Sequence, residues 1–335
     1  MYKSIIKPLL FKIEPEKMHN LLIKGLKTYE NLSFIRTYVR NHYKAPLDLF
    51  ISNGLTFTNR IGLSAGFDKT GEIYDKLADF GFGFIEIGTI TPSPQTGNAS
   101  PRIFRLPKYE SIISRTGFNN PGYKILNQRI DKADRPYVLG ININKDPASE
   151  KQDAARDIIL LYKNLSVKAD YFTINFTSFT DENLQFMLEG LKNYRNEQNS
   201  IRPVLLKIPA DMNENDLDKV LKLIAETNLN GIIACGPTQD RSEIKNYTLS
   251  ELDKIGPGGV SGRGIGDKSL HIVKYLRNKA GKNFLIIGAG GIMNQEDALK
   301  MREAGADLIQ IYSAFIYSGP DIIKKITKKY NERKI

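Results

Sequence analysis

Eight short runs rich in Ile, Val, Leu and Phe recur along the chain from residue 61 onward, and each is followed by a polar cluster. Their near-continuous apolar character is typical of parallel strands that are buried on both faces by helices. The runs occupy residues 61–64, 84–88, 138–143, 171–176, 204–208, 231–234, 285–288 and 308–312.

Segments with the apolar spacing of amphipathic helices lie between these runs. They occupy residues 71–80, 152–166, 183–196, 214–227, 268–280, 295–304 and 321–330. Eight strands that alternate with these helical segments match a (β/α)8 TIM barrel, for which a length of about 250 residues is typical. The predicted fold class is therefore α/β, with a doubly wound open sheet as the alternative.

The loops that follow the strands of such a barrel carry its chemistry, and two of these loops are long. Residues 89–120 contain "PRIFRL" and "SIISRTGFNN", which we expect to form a hairpin over the barrel mouth. Residues 236–266 end in the glycine-dense stretch "GPGGVSGRGIG", which we expect near the same end of the barrel.

Glycines follow the seventh predicted strand, where "GAGG" occupies residues 288–291. Tyr312 and Ser313 follow the eighth strand, and "SGRG" at residues 261–264 precedes the seventh unit. Barrels often bind phosphate with the loops after strands seven and eight. The pattern predicts an anion site, and ordinary tight turns explain the glycines equally well.

Two lysines strengthen the case for an anionic ligand. Lys69 and Lys207 follow or end predicted strands, where a barrel directs side chains into its mouth. A single lysine at such a place is usually a solvated loop residue. Two of them beside an anion cradle favour a phosphorylated, electron-accepting cofactor with a cation near its ring.

The bulk composition leaves several partners open. The formal net charge is +11, and residues 1–44 hold nine basic and three acidic side chains, a net +6. This asymmetry fits an anionic membrane surface, nucleic acid or anionic small molecules, and no RNA- or DNA-reading motif supports the second. The single Cys235 excludes an internal disulfide, so a cytoplasmic location is the default. We expect no transmembrane span and no cleavable signal.

Residues 2–40 show apolar positions at helical spacing with lysines between them. A basic amphipathic segment of this kind can lie in a membrane interface. It can equally pack on the barrel as a surface hairpin of helices.

Several long motifs occur in a fixed order along the chain. They are "GLSAGFDKTGEIYDKLADFGFGFIEIGTITPSPQTGN", "PRIFRL", "RTGFNNPG", "GGVSGRG", "GAGGI" and "LIQIYSAFIYSGP". Together they resemble the class 2 dihydroorotate dehydrogenases, which are membrane-associated and reduce a quinone. The resemblance covers essentially the whole chain, including "LLFKIEPEKMHNL" near the N-terminus.

The resemblance implies an FMN-dependent flavoprotein of pyrimidine biosynthesis that oxidises dihydroorotate to orotate, with no metal site. It implies a helical membrane- and quinone-associated segment at 1–45, an FMN-binding barrel at 46–335, and a peripheral position on the cytoplasmic side of the cell membrane. The catalytic base matches Ser178, the quinone route matches His19 and Arg102, and no nucleic-acid partner is implied. The matched FMN residues are Ala65, Gly66, Lys69, Thr89, Asn142, Asn175, Lys207, Cys235, Gly262, Gly291, Tyr312 and Ser313. The matched substrate residues are Lys69, Ser114, Arg115, Thr116, Gly117, Phe118 and Asn175.

The chain departs from the family pattern where the substrate ring is bound. Ser114, Thr180 and Gly236 stand where the family has asparagines, and the loop "NFTSFTDEN" is about three residues shorter than its counterpart. Each buried hydrogen bond that is lost costs on the order of 1–3 kcal/mol. Neighbouring hydroxyls can rebuild part of the network. Two alternatives therefore stay open: a divergent paralogue that acts on another reduced ring or enone, and a flavin-binding protein without turnover, which the retained Ser178 disfavours.

Overall fold

A computed structural model describes residues 2–131, 134–176, 183–199 and 202–332. The strands are β1 (Phe50–Ser52), β2 (Leu55–Phe57), β3 (Ile61–Leu63), β4 (Phe84–Ile90), β5 (Ile103–Leu106), β6 (Ser111–Ser114), β7 (Val138–Ile143), β8 (Tyr171–Asn175), β9 (Val204–Ile208), β10 (Gly231–Ala234), β11 (Gly259–Gly262), β12 (Leu285–Ala289) and β13 (Leu308–Ile311). The helices are α1 (Lys7–Leu10), α2 (Pro15–Tyr29), α3 (Ser33–Tyr43), α4 (Tyr74–Ala78), α5 (Tyr123–Arg129), α6 (Lys151–Leu165), α7 (Asn183–Glu197), α8 (Glu214–Glu226), α9 (Leu249–Ile255), α10 (Gly266–Ala280), α11 (Gln295–Glu303), α12 (Ser313–Ser318) and α13 (Asp321–Glu332).

Eight parallel strands close into a barrel in the order β3, β4, β7, β8, β9, β10, β12 and β13, with β13 pairing β3. The predicted (β/α)8 barrel is confirmed, and every predicted strand matches one of these strands to within two residues at either end. A two-stranded hairpin, β1 and β2, which the sequence reading did not anticipate, closes the amino-terminal end of the barrel. There the ring of Phe57 packs edge-on against Phe84, with centroids 5.4 Å apart.

The barrel interior changes from apolar near this hairpin to polar near the mouth. Phe84, Val138 and Leu308 belong to the apolar cluster beneath, whereas Glu86 and Gln310 lie one inward-facing position higher and are also buried. Inward-facing residues alternate along a strand, so this change occurs within two residues. The floor is therefore packed, and the chemistry is confined to the carboxyl ends of the strands.

The long insertions form a small sheet over the mouth. β5 and β6 pair antiparallel, which confirms the expected hairpin, and β11 adds a third strand beside β6 in the register Gly259↔Ser114. α4 is shorter than its predicted segment. The carboxylate of Asp68 accepts backbone N–H bonds from Thr70, Glu72 and Ile73, which holds the chain in a loop before the helix begins.

The N-terminal helices pack against the barrel and its mouth sheet. The carboxylate of Asp79 accepts bonds from the guanidinium groups of Arg36 and Arg40 at 2.7 and 2.5 Å, and Tyr29 donates to it at 3.2 Å. Arg105 donates to the carbonyl of Leu10 at 3.2 Å. Within the ranges described, no helix combines the length and the apolar character that crossing a bilayer requires.

Candidate active site at the barrel mouth

A cavity of about 480 Å³ opens at the carboxyl ends of the barrel strands. It continues from the barrel mouth to the inner face of α2, where Leu22 and Leu26 contribute to its wall. Its volume lies in the range of small-molecule sites, which is about 300–1,000 Å³. Most of the predicted cofactor residues line it, namely Ala65, Gly66, Lys69, Lys207, Cys235, Gly262, Gly291, Tyr312 and Ser313.

Glycines bring several backbone segments together on one side of this cavity. A Cβ atom at Gly291 would lie 2.1 Å from the Cα atom of Gly266, and Gly291 has a φ of +74°. A Cβ atom at Gly262, where φ is +91°, would lie 2.5 Å from the carbonyl oxygen of Glu110. The hydroxyls of Ser261 and Ser313 lie 3.2 Å apart beside these segments. Only glycine allows this approach, and the result is a concave surface suited to a phosphate.

Lys207 projects into the barrel from the end of β9. Its ammonium group donates to the hydroxyl of Ser64 at 3.0 Å, and its side chain is buried. Burial lowers the pKa of Lys207, and attraction to Glu86 and Cys235 acts in the opposite direction. A buried cation of this kind stabilises negative charge on a ligand in the mouth.

Lys69 occupies the opposite rim, in the loop after β3. Its ammonium group donates to the hydroxyl of Thr116 at 2.5 Å and to the amide oxygen of Asn119 at 2.7 Å. Burial and the positive charge of Arg102 lower the pKa of Lys69 to about 8, against the opposing attraction of Glu16. Because an ammonium group has three N–H donors, one remains for a ligand in the cavity.

Three further predicted cofactor residues form a hydrogen-bonded set. The amide oxygen of Asn142 accepts from the hydroxyl of Thr89 at 2.7 Å and from the amide of Asn175 at 2.8 Å. The Asn175 amide also donates to Thr89 at 2.7 Å. The ends of β4, β7 and β8 are thereby joined, and the set lies on the barrel strands beneath the mouth.

The predicted substrate loop divides into two parts. Ser114 and Thr116 line the cavity. The guanidinium of Arg115 instead donates to the carbonyls of Pro257 and Pro101 at 3.0 and 3.1 Å. Gly117 and Phe118 continue the loop behind the cavity wall, and the carbonyl of Phe118 accepts a bond from the side chain of Asn120. The structure thus gives Arg115 the role of an anchor for the loop.

Of the two residues predicted for the quinone route, His19 lines the cavity beside α2, whereas Arg102 is not among its lining residues and contacts the lining residue Glu16. The ring of His19 packs edge-on against Phe67, with centroids 5.3 Å apart, and burial lowers its pKa. Arg102 makes a two-pronged ion pair with Glu16 at 2.6 and 2.9 Å, which ties α2 to the long loop after β4. The predicted base Ser178 and the neighbouring Thr180 lie outside the described residues.

Sequence reasoning missed several residues that the structure places at the site. Asn119 holds Lys69, and Gln310 lines the cavity with a buried amide oxygen for which the described residues supply no hydrogen-bond partner. Glu86 lies directly beneath the mouth. The signal for Glu86 was a single acidic residue inside the apolar run 84–88. Cys235 is buried, and burial raises the pKa of its thiol to about 12, so the thiol stays protonated and does not act as a base at neutral pH.

The fold and this site define a class: a (β/α)8 barrel enzyme whose mouth places a glycine cradle, buried Lys207 and half-buried Lys69 around one cavity, an arrangement suited to an anionic ligand. The family model described as dihydroorotate dehydrogenase matches residues 51–333. The protein is 36% identical over 345 residues to the dihydroorotate dehydrogenase (quinone) of Christiangramia forsetii, covering 99% of both chains. It is 38% identical over 336 residues to that of Pseudoalteromonas atlantica, covering 96% of this chain and 98% of the relative.

A solved structure agrees with these relatives. The crystal structure of DHODH in complex with ferulenol from Eimeria tenella superposes with a TM-score of 0.78 at 29% sequence identity, covering 94% of this chain and 90% of that chain. The chain belongs to the dihydroorotate dehydrogenase family. The family expected from the motifs is confirmed, and with it an oxidoreductase that acts on CH–CH bonds.

Proposed function

We propose that this protein oxidises dihydroorotate to orotate with bound FMN and passes the electrons to a quinone at a membrane surface. The observation that carries the proposal is that a glycine cradle and buried Lys207 line the same cavity in a barrel of this family. In this proposal residues 46–335 form the FMN-binding barrel, and residues 1–45 form the membrane- and quinone-associated segment.

The residues present fit FMN. The close approach of Gly262 and Gly291 to neighbouring backbone leaves a cradle for a phosphate, and the buried amide oxygen of Gln310, which lacks a hydrogen-bond partner within the described ranges, would be an acceptor for FMN. When bound, FMN supplies an acceptor for two electrons, taken up as hydride. The residues that would hold it are Ala65, Gly66, Lys69, Thr89, Asn142, Asn175, Lys207, Cys235, Gly262, Gly291, Tyr312 and Ser313.

The substrate side of the proposal centres on Lys69. Its free N–H donor suits a carboxylate, and the hydroxyls of Ser114 and Thr116 supply further polar groups on the same wall. Ser178 would remove a proton from the carbon next to a carbonyl while hydride leaves the neighbouring carbon. Because a serine hydroxyl is a weak base near neutral pH, it needs a hydrogen-bonded partner to assist it.

The quinone side rests on the apolar arm of the cavity. This arm runs between the barrel mouth and α2 and ends near His19 and Glu16, and Glu16 is the ion-pair partner of Arg102. Helices α2 and α3 also present exposed apolar side chains outward, including Leu21, Phe34 and Tyr38. We propose that these side chains and the surrounding lysines dock the segment on the cytoplasmic side of the cell membrane as a peripheral contact.

The test is anaerobic flavin reduction. We expect the purified protein to contain FMN and its absorbance to bleach rapidly with dihydroorotate, and we expect Ser178→Ala to keep FMN but to lose fast bleaching. The variant Thr177→Ala serves as a matched control from the same loop. Slow bleaching with dihydroorotate in the natural protein would contradict the proposed substrate.

One observation favours a second candidate, a divergent enzyme acting on another reduced ring. Gly236 lines the cavity at a position where the family has an asparagine, and it offers no side chain to the substrate. Fast bleaching by a different reduced ring compound, together with slow bleaching by dihydroorotate, would support this candidate. A flavin that no reductant bleaches would instead support flavin binding without turnover.

A further inference from the structure

Glu86 is a fully buried acidic residue on β4, inside the barrel. Burying a carboxylate away from water is costly unless partners satisfy it. An apolar side chain at this position would continue the packing of the floor below. The position of this carboxylate directly under the mouth therefore requires an explanation that packing does not give.

Three side chains from three other barrel strands donate to this carboxyl group. Asn142 donates to Oε1 at 2.8 Å, and Gln310 and Tyr171 donate to Oε2 at 2.7 and 3.1 Å. Each oxygen thus receives an N–H donor, which suits the ionised carboxylate. Burial and the negative charge of Glu86 raise the pKa of Tyr171 well above its ordinary value, so this hydroxyl keeps its proton.

The first link from Glu86 to the cofactor site is geometric. Because the Asn142 amide nitrogen is committed to Glu86, its oxygen must point the other way, toward Thr89 and Asn175. Without an acceptor at Glu86, the amide of Asn142 could rotate and present its nitrogen to these two donors. The whole set at the ends of β4, β7 and β8 therefore takes its orientation from one carboxylate.

The second link is electrostatic. Glu86 on β4 and Lys207 on β9 are both buried in the barrel, where the carboxylate attracts the ammonium group and opposes the loss of its proton. Among the described residues, the hydroxyl of Ser64 and the thiol of Cys235 also face Lys207. Because burial raises the pKa of the Cys235 thiol to about 12, the thiol stays protonated at neutral pH, and Glu86 is the carboxylate that acts on Lys207 within the part of the chain that the structure describes.

We propose that Glu86 is a positioning residue of the cofactor site, which fixes the orientation of the Asn142 amide and supplies the counter-charge for Lys207. The proposal rests on the proposed function only in naming FMN as the ligand of these groups. The coupling of Glu86 to Lys207 is a property of the protein itself and does not depend on which ligand binds. The two parts can therefore be tested separately.

The experiment compares Glu86→Gln with Tyr171→Phe in the full chain. Both variants remove a polar group from the same buried layer at almost constant volume, but only Glu86→Gln removes the charge. The first readout is the midpoint of denaturant unfolding between pH 6 and pH 9. The second readout is the dissociation constant of FMN, measured by fluorescence of the released flavin.

The expected pH profile follows from linkage. In folded Glu86→Gln, Lys207 loses its proton at a lower pH than in the folded natural protein. Between these two pH values the folded variant therefore holds fewer protons than the folded natural protein. Stability rises with pH wherever the unfolded state binds more protons. The destabilisation caused by Glu86→Gln should therefore shrink as pH rises, whereas that caused by Tyr171→Phe should stay constant.

We expect the FMN dissociation constant to rise about tenfold in Glu86→Gln, the effect of one misplaced charged interaction, and to change less than about twofold in Tyr171→Phe. Parallel pH profiles for the two variants would overturn the coupling of Glu86 to Lys207. Equal FMN affinities would overturn the role in the cofactor site. A natural protein that takes up no FMN would count against the proposed function, and the unfolding profiles would still decide the coupling.

Discussion

Two lysines of the same mouth have different surroundings and, in consequence, different chemistry. Lys207 is held by a neutral hydroxyl and attracted by buried Glu86. Lys69 is held by the neutral oxygens of Thr116 and Asn119, and the positive charge of Arg102 acts on it. Within the described ranges, the carboxylate that acts on Lys69 is that of Glu16 in α2, which is already paired with Arg102, so a ligand carboxylate would be a favourable partner for the ammonium group of Lys69.

The first prediction concerns the pH dependence of ligand binding at Lys69. Burial lowers its pKa to about 8 from 10.5, so the free protein loses this charge as pH rises through about 8. We expect the dissociation constant of orotate, followed by the flavin spectrum, to stay constant below that pH and to rise up to about tenfold per pH unit above it. In Lys69→Met binding should be weak at every pH, and a break near pH 8 that persists in this variant would assign the break to another group.

The lowered pKa of Lys69 also determines how this group affects the stability of the fold as pH changes. Between about 8 and 10.5 the unfolded chain holds the Lys69 proton and the folded chain does not. Stability due to this group therefore rises with pH across that window. Placing the charge at the mouth thus costs stability at neutral pH, and we attribute the retention of the lysine to its binding role.

The second prediction concerns Gly236. A Cβ atom there would lie 3.5 Å from the carbonyl oxygen of Ile208, an ordinary contact, and the backbone has no left-handed φ. We therefore expect Gly236→Asn to fold and to offer its amide to the substrate. If dihydroorotate is the substrate, its KM should fall about threefold to tenfold, as expected for one added hydrogen bond of about 1 kcal/mol. Gly236→Leu, which adds volume without an amide, is the control, and a raised KM in both variants would mean that the space is needed by a larger substrate.

For individual residues, the sequence predicted which side chains lie at the ends of strands better than it predicted which side chains contact one another. Lys69 and Lys207 were found because each follows or ends an apolar run, and the glycines were found by their density. Asn119 and Gln310 were not found, because their roles depend on which strands become neighbours in the closed barrel. The contact of Gln310 with Glu86 joins residues 224 positions apart in the chain, a separation that local pattern cannot report.

At the scale of elements, Asp79 anchors the N-terminal helices. Its side chain is 4% exposed and receives two guanidinium groups and a tyrosine hydroxyl from α2 and α3. The removal of its charge leaves Arg40 facing a neutral group, whereas Arg36 keeps its ion pair with Asp75 at 3.2 Å. Because Arg40 is 56% exposed, water compensates part of that loss.

We predict that Asp79→Asn weakens the attachment of α3 to the barrel by about 2 kcal/mol, between the values for exposed and buried ion pairs. Faster amide hydrogen exchange in α3, with unchanged exchange in the barrel strands, is the expected observation. Asp321→Asn is the matched control, because its carboxylate lies 4.0 Å from His42 of the same helix and is half exposed. Equal exchange in the two variants would show that apolar contacts alone hold the helix.

The elements show why some boundaries were predicted and others were not. Barrel strands are buried on both faces, so their apolar runs mark them directly. β11 was missed because its residues, "GVSG", are mostly small and its pairing partner β6 lies about 150 positions earlier. Thr248 and Glu251 form a capping box at the start of α9, and this local sequence signal is sufficient to predict where the helix begins.

At the scale of the whole molecule, charge and exposed apolar surface are concentrated at the same end. Residues 1–44 hold +6 of the +11 net charge. The same segment exposes Ile5, Leu9, Leu21, Phe34 and Tyr38. Apolar area and positive charge act together in binding to anionic lipid, and the charge term is screened by salt. The cavity arm near His19 opens under this same segment, so a molecule dissolved in the lipid would reach the barrel mouth from there.

The last prediction tests this surface with Phe34→Ser. Phe34 is 85% exposed on α3, so its replacement should leave the unfolding midpoint unchanged while it removes up to about 2 kcal/mol of burial in lipid. We expect the natural protein to co-sediment with vesicles that contain anionic lipid, less so at high salt, and Phe34→Ser to bind about tenfold more weakly. Leu249→Ser on α9, where the leucine is 79% exposed, should bind like the natural protein. If Phe34→Ser and Leu249→Ser lose vesicle binding equally, the membrane contact is spread over the surface and α3 has no special part in it. The quinone must then reach the barrel mouth by a route that does not depend on α3.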